Sequence, residues 1–156
     1  MFLKIEGIEG ESRDDTHKDE IDVLSWSWGL SNSATTHISG GGGAGKASFK
    51  DLTVTKYLDK SSPALMTRIS DGRHIPSATL VVRKVGSDPL EYLTITMTDI
   101  IVTSLSTGGS GGEDRLTENI TLNFAEVEVE YIPQKIDGST EQSVEFGWDI
   151  QANIPK

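Results

Sequence analysis

A chain of 156 residues is the length of one domain and can bury about 70% of the surface its unfolded form exposes, so it needs no staples. Cysteine is absent, which excludes disulfides and thiolate metal sites and makes the fold indifferent to redox compartment. Fourteen basic against twenty-four acidic residues give a net charge of −10, which repels phosphate backbones and anionic lipid and speaks against nucleic acid or membrane as a partner.

The N-terminal stretch MFLKIEGIEG carries charge at Lys4, Glu6 and Glu9 and no long apolar run. Neither a signal peptide nor a membrane span is expected, so any export must bypass the usual signals. Further on, Ile21 and Val23 alternate with polar neighbours and then hand over in phase to Leu24, Trp26, Trp28 and Leu30. Such a change of phase predicts a strand with a bulge or a sharp bend. With Leu24, Trp26, Trp28 and Leu30 facing the core, the pleat sends Ser25, Ser27 and Gly29 to a small, polar opposite face.

Residues 37 to 48, HISGGGGAGKAS, place Gly40, Gly45 and Lys46 at the spacing of a phosphate-binding loop. Ala47 stands where that loop needs a hydroxyl for magnesium. The flanks disagree as well, because LSNSATTH before it is polar and KASFKDLTVTKY after it alternates as a strand does. A long flexible loop is the better reading, and no nucleotide or other cofactor is expected.

One segment, KSSPALMTRISDGR, reads as a helix, with Ser62 as N-cap, Pro63 at the first helical position, Gly72 as the stop and Leu65, Met66 and Ile69 on one face. Strand patterns then resume. Leu93, Ile95, Met97, Ile101 and Leu105 form one unusually long row against Thr94, Thr96, Thr98 and Ser104. Between this strand and the next lies Gly108 to Gly112, which fits G-x-S-x-G around Ser110. That nucleophile turn needs its acid and histidine later in the chain, yet His17, His37 and His74 all precede it. We read the three histidines as surface or loop residues, too scattered for a metal site.

The row Ile120, Leu122 and Phe124 hands over to Val127, Val129 and Tyr131, a second change of phase, while Glu126, Glu128 and Glu130 line a solvent face. The last strand places Val144, Phe146, Trp148 and Ile150 on one side. Nothing in this pattern assembles a catalytic group, so the chain reads as a non-enzyme. It is a single all-β domain over residues 1–156 with one flanking helix, built as a barrel or a two-sheet sandwich.

A free-standing β-sandwich binding module, for carbohydrate or protein, would use Trp26, Trp28 or Trp148 as stacking platforms. Each of these lies in phase with aliphatic residues, which favours core packing instead.

Four long segments in order, EIDVLSWSWGLSNS, GGGGAGKASFKDLTVTKYLDKSSPALM, STGGSGGEDRLTENITLNFAEVEVEY and GWDIQANIPK, are together similar to the haemolysin-coregulated protein family, Hcp, of the bacterial type VI secretion system. The similarity spans essentially the whole chain. It implies a compact β-barrel of two antiparallel sheets with a flanking helix and an extended loop. It also implies a homo-hexameric ring, stacking of rings into a tube, and work alongside the spike, the sheath and effector proteins held in the channel. Such a protein is cytoplasmic before firing and then leaves through the secretion machine it builds. Since no fused domain is expected after Lys156, a plain tube subunit is implied.

In that family the serine between the two tryptophans lines the channel and is implicated in effector binding. Ser27 is the match, which makes Ser27, Ser25 and Gly29 the candidate channel wall. The glycines Gly40, Gly41, Gly42 and Gly43 are the candidate ring-to-ring contact, because they let backbone approach a neighbour closely.

Overall fold

The alternating rows become strands, and the residues that break the alternation decide where those strands turn. The computed structural model describes residues 1–34, 45–86 and 89–156. Strands β1 (Phe2–Ile5), β2 (Ile21–Ser27), β3 (Leu30–Asn32), β4 (Ala47–Phe49) and β5 (Leu52–Tyr57) precede helix α1 (Ser61–Asp71). After it come β6 (Ile75–Arg83), β7 (Glu91–Thr107), β8 (Thr117–Tyr131), β9 (Val144–Asp149) and β10 (Ile154–Pro155).

Pairing is antiparallel throughout. One sheet runs β10-β9-β8-β5-β2-β1-β6-β7, and a further pairing of β7 with β8 closes its last six strands into a barrel. Strands β3 and β4 form a separate two-stranded ribbon. Closure removes the edges only where neighbouring strands are in register, so β2 beyond Val23 and β7 beyond Ile100 each keep one side without a strand partner among the described residues, and β9 and β10 hang beyond the barrel. The interior is filled by residues that leave water almost completely, among them Leu3, Ile21, Leu52, Val54, Leu80, Met97, Ile120, Leu122 and Val127. Each such aliphatic side chain contributes about 1.5 to 3 kcal/mol on burial, so this cluster is the main stabilising force.

The expected change of phase in β2 is a bulge. Val23 pairs with Lys56 and Ser25 with Thr55, which leaves Leu24 as the extra residue. Its side chain is 40% exposed, and Leu30, in the ribbon, is 51% exposed. The expectation that Leu24 and Leu30 face the core is therefore corrected: Trp26 and Trp28 pack against it, and the bulge turns Leu24 outward.

In β7 the single long row predicted from alternation is broken twice. Asp99 adopts a left-handed φ of 53°, after which Ile100 and Val102, not Ile101, are buried. A second irregularity between Val102 and Ser104 brings Leu105 back against the core. Strand β8 breaks opposite Asp99, at Ala125, where burial passes from Phe124 to Val127. The two strands thus turn a corner together.

Helix α1 packs on β7 through Leu65, which is fully buried. It stops at Gly72, in the left-handed region with φ 65°, where its N–H donates to the Arg68 carbonyl. The start differs from the expected Ser62 cap. The helix begins at Ser61, whose N–H donates to Asp59 Oδ1 at 2.9 Å, and the Ser62 hydroxyl is drawn inward to buried charges. Met66, placed on the apolar face by spacing, is 39% exposed.

Candidate functional site

The polar phases of four strands come together on one face. Ser27 pairs with Thr53, Thr53 with Thr121, and Thr121 with Ser104 across β2, β5, β8 and β7. The next row joins Ser25, Thr55, Asn119 and Ser106 in the same way. Directly paired residues project to the same side, so eight neutral hydrogen-bonding side chains cover one wall. The Thr55 hydroxyl donates to Asn119 Oδ1 at 2.6 Å, and Thr121 Oγ1 lies 2.6 Å from both Thr103 Oγ1 and Ser104 Oγ.

A carboxylate borders these rows. Asp51 accepts from the Thr103 hydroxyl at 2.7 Å and from Asn123 Nδ2 at 2.8 Å, which fixes the side chains next to the β7 bulge. The rows themselves carry no charge, in a chain of net charge −10. This surface offers hydroxyl and amide donors and acceptors for a polar partner.

Ser25 and Ser27 lie on the wall, both exposed. Gly29 does not continue their row. It falls between β2 and β3, where its carbonyl accepts the Lys50 N–H at 2.9 Å. Gly40 to Gly43 lie outside the described residues. Thr53, Thr55, Asn119 and Thr121 were not singled out from sequence. Their signal was present as the polar phase of LTVTKY and TENITLNF, but alternation does not say which strands adjoin.

The two glycine motifs have the wrong surroundings for catalysis or phosphate binding. Lys46 is followed at once by strand β4, and Gly112 leads into β8, so neither loop opens a helix. The tryptophans serve packing: Trp26, Trp28 and Trp148 all lie against the core, and Trp28 Nε1 donates to the Lys50 carbonyl at 2.9 Å.

Beneath the wall is a buried polar cluster. Lys56 follows Leu52 and Val54 on the inward phase of β5 and pairs in register with Glu118 of β8. Neither side chain reaches solvent. The Lys56 ammonium also meets Asp59 Oδ1 at 3.0 Å and donates to the Tyr57 carbonyl at 2.9 Å, and the Ser62 hydroxyl donates to Glu118 Oε1 at 2.6 Å. The start of α1 is thereby tied to two barrel strands.

A second cluster decides between the two readings of His17: it is a loop residue, between β1 and β2, and not a surface one. Its ring is 6% exposed, stacks on Phe2 at 4.3 Å, and sets its two nitrogens 2.7 Å from Glu20 and 2.6 Å from Glu91. Arg83 joins the same group by a forked contact to Asp14 and a contact of 2.9 Å to Glu91. The Arg83 hydrogen bond holds the Asp14 carboxyl down to about 2. Burial opposes ionisation of Glu91, but hydrogen bonds from His17 and Arg83 outweigh it and lower its pKa. These groups strap the segment before β2 to the barrel. His74 does sit on the surface, beside Asp99 at 2.5 Å.

The arrangement defines a class: a closed antiparallel six-strand barrel with one packed helix, a detached two-strand ribbon and a hydroxyl-lined wall. Among known proteins, the model of the family described as type VI secretion system effector, Hcp, matches residues 2–131. Protein hcp1 of Pseudomonas aeruginosa is 56% identical over 156 residues, covering 99% of this chain and 96% of that protein. The crystal structure of Hcp1 from Salmonella typhimurium superposes with a TM-score of 0.82 at 42% identity, over 99% of this chain and 97% of the other. The structure of a type six secretion system protein gives a TM-score of 0.92 at 32% identity, over 99% and 98%. The chain belongs to the Hcp family of the type VI secretion system.

Proposed function

We propose that this chain is a structural, non-catalytic tube subunit: it closes into a homo-hexameric ring, the rings stack with the spike and inside the sheath, and the channel wall holds effector proteins. The observation that carries this reading is a pair of open edges on the hydroxyl-lined wall. On one side, β1 pairs with β2 only as far as Asp22, which leaves the outer edge of Ser25 and Ser27 without a strand partner among the described residues. On the other, β6 pairs with β7 only up to Ile100, which leaves Ile101–Thr107 with β8 as their one strand partner among the described residues.

Long open edges invite pairing with another chain. Two different edges on one subunit make a head-to-tail contact, and such contacts close into rings when the rotation fits. Six subunits, with Ser27 lining the channel, are what the resemblance to the family implies, and the exposed position of Ser27 on the wall supports that reading. A protein that leaves through its own tube stays in the cytoplasm until firing, and among the described residues no helix is long and apolar enough to cross a membrane.

Solution mass tests the reading. Light scattering with electron microscopy should give rings of six chains at micromolar concentration, and a monodisperse 16.9 kDa species would sink it.

A further inference from the structure

The segment between β1 and β2 holds a histidine whose two ring nitrogens both face carboxylates. His17 Nδ1 lies 2.7 Å from Glu20 Oε2, and Nε2 lies 2.6 Å from Glu91 Oε1. An ionised carboxylate only accepts, so each contact needs an N–H on the imidazole side, and a neutral ring has one N–H to give. The other nitrogen would then set a lone pair against a carboxylate oxygen in a buried site. The groups around the ring favour the charged state as well. Its own segment supplies Glu20 and Asp14, whose Oδ1 accepts the His17 backbone N–H at 3.2 Å. Strand β1 supplies the Phe2 ring, stacked on the imidazole at 4.3 Å, β6 supplies Arg83, and β7 supplies Glu91. Three carboxylates thus meet one permanent cation, and a positive charge on His17 reduces the excess from two to one. The face of Phe2 attracts a cation more than a neutral ring. Burial works against the ionised form of Glu91, yet hydrogen bonds from His17 and Arg83 hold its pKa low.

We propose that His17 is a doubly protonated imidazolium in the folded chain, and that loss of one proton to solvent unclasps the segment from Gly10 to Glu20 from the barrel. The backbone bonds of that segment close on themselves: Gly10 N–H donates to the Asp19 carbonyl at 2.7 Å, Ser12 N–H to the Glu20 carbonyl at 2.9 Å, and Asp19 N–H to the Ser12 carbonyl at 2.9 Å. Its polar contacts to other elements run through side chains, His17 to Glu91, Asp14 to Arg83, and Glu11 and Asp19 to Lys60 before α1. Of these groups, only an imidazole changes charge close to neutral pH. A group that is protonated in the clasped state holds the segment at lower pH and lets go as pH rises. On the acid side the clasp opens by another route, protonation of Asp14 and Glu91, so the segment is held across a window with a limit at each end.

Deuterium uptake read by mass spectrometry tests both halves, and light scattering at each pH keeps the oligomeric state constant, so the outcome is independent of the ring reading. Exchange at the imidazole C2 position rises with pH and levels off once the ring is neutral. For His17 it should still be rising at neutral pH, and Glu20→Gln should bring the levelling to lower pH by about one unit, a ten-fold change in proton affinity. Backbone amides of residues 10 to 20, corrected for the intrinsic effect of pH, should lose protection about ten-fold as the wild-type ring loses its proton. In Glu20→Gln that loss should move to lower pH with the ring, and in His17→Gln it should vanish, because glutamine has no proton to lose. A His17 profile already level at neutral pH would overturn the imidazolium. Protection that stays flat in the wild type, or falls equally in His17→Gln, would overturn the clasp.

Discussion

Lys56 and Glu118 face each other across β5 and β8 with ammonium and carboxylate 2.5 Å apart, and neither side chain touches water. A buried pair of this kind is weak in net terms but severe when Lys56 is removed, because Glu118 is then left as an uncompensated charge, whereas Lys56 without Glu118 still meets Asp59. Lys56→Met alone should therefore destabilise the fold by about 3 to 5 kcal/mol and Glu118→Gln by less, while Lys56→Met with Glu118→Leu should recover much of the larger loss. Urea midpoints of the three variants decide the matter. Equal losses in the single and double variants would show that the pair stabilises more than its apolar replacement.

The strap around Arg83 predicts a response to acid. Asp14 has its folded pKa depressed from 3.8 to about 2, and Glu91 is shifted in the same direction. For a depressed carboxyl, the unfolded state binds protons first as pH falls. The contribution is complete above the unfolded value and disappears as pH falls through the folded one. Wild-type stability should thus decline between about pH 4 and pH 2, and Asp14→Asn should start less stable at neutral pH and decline less over that window. Denaturant titrations at stepped pH measure both slopes, and parallel slopes would refute the assignment.

How much of this was legible in the chain itself can be seen from β2 and β7. The handover from Val23 to Trp26 announced a bulge, and the structure puts it at Leu24. Nothing comparable announced the switch at Asp99, because Ile100, Ile101 and Val102 are all apolar and fit either phase. Lys56 and Glu118 were out of reach for a different reason. Each occupies an apolar phase, but only pairing across 62 residues of sequence reveals that they neutralise one another. The same limit hid the wall: the serines of β2 were readable as a polar face, while their continuation through Thr53, Thr121 and Ser104 depends on register.

Ser27→Gln adds bulk to the wall without burying a charge. It should leave the ring intact and reduce retention of a co-expressed effector, and because a ring repeats the contact once per subunit, the loss should be roughly ten-fold or more. Co-purification from wild-type and variant rings of equal mass provides the check. Unchanged retention would leave Ser27 as plain wall.

If Gly40 to Gly43 make the ring-to-ring contact, as we propose, their deletion should impair stacking and spare the single ring. Electron microscopy of concentrated samples scores tubes, and light scattering scores rings. Tubes of normal length from the shortened chain would exclude the loop from that contact.

The long β7–β8 hairpin has a mechanical consequence. Its thirteen registered residue pairs extend past the corner at Asp99, from Leu93 against Tyr131 to Thr107 against Glu118. Antiparallel ladder bonds lie across the strands, so a push or pull along them loads many bonds together in shear instead of opening them one after another. The two strands are thereby held as one unit through their shared corner, and a load along them meets the whole ladder at once.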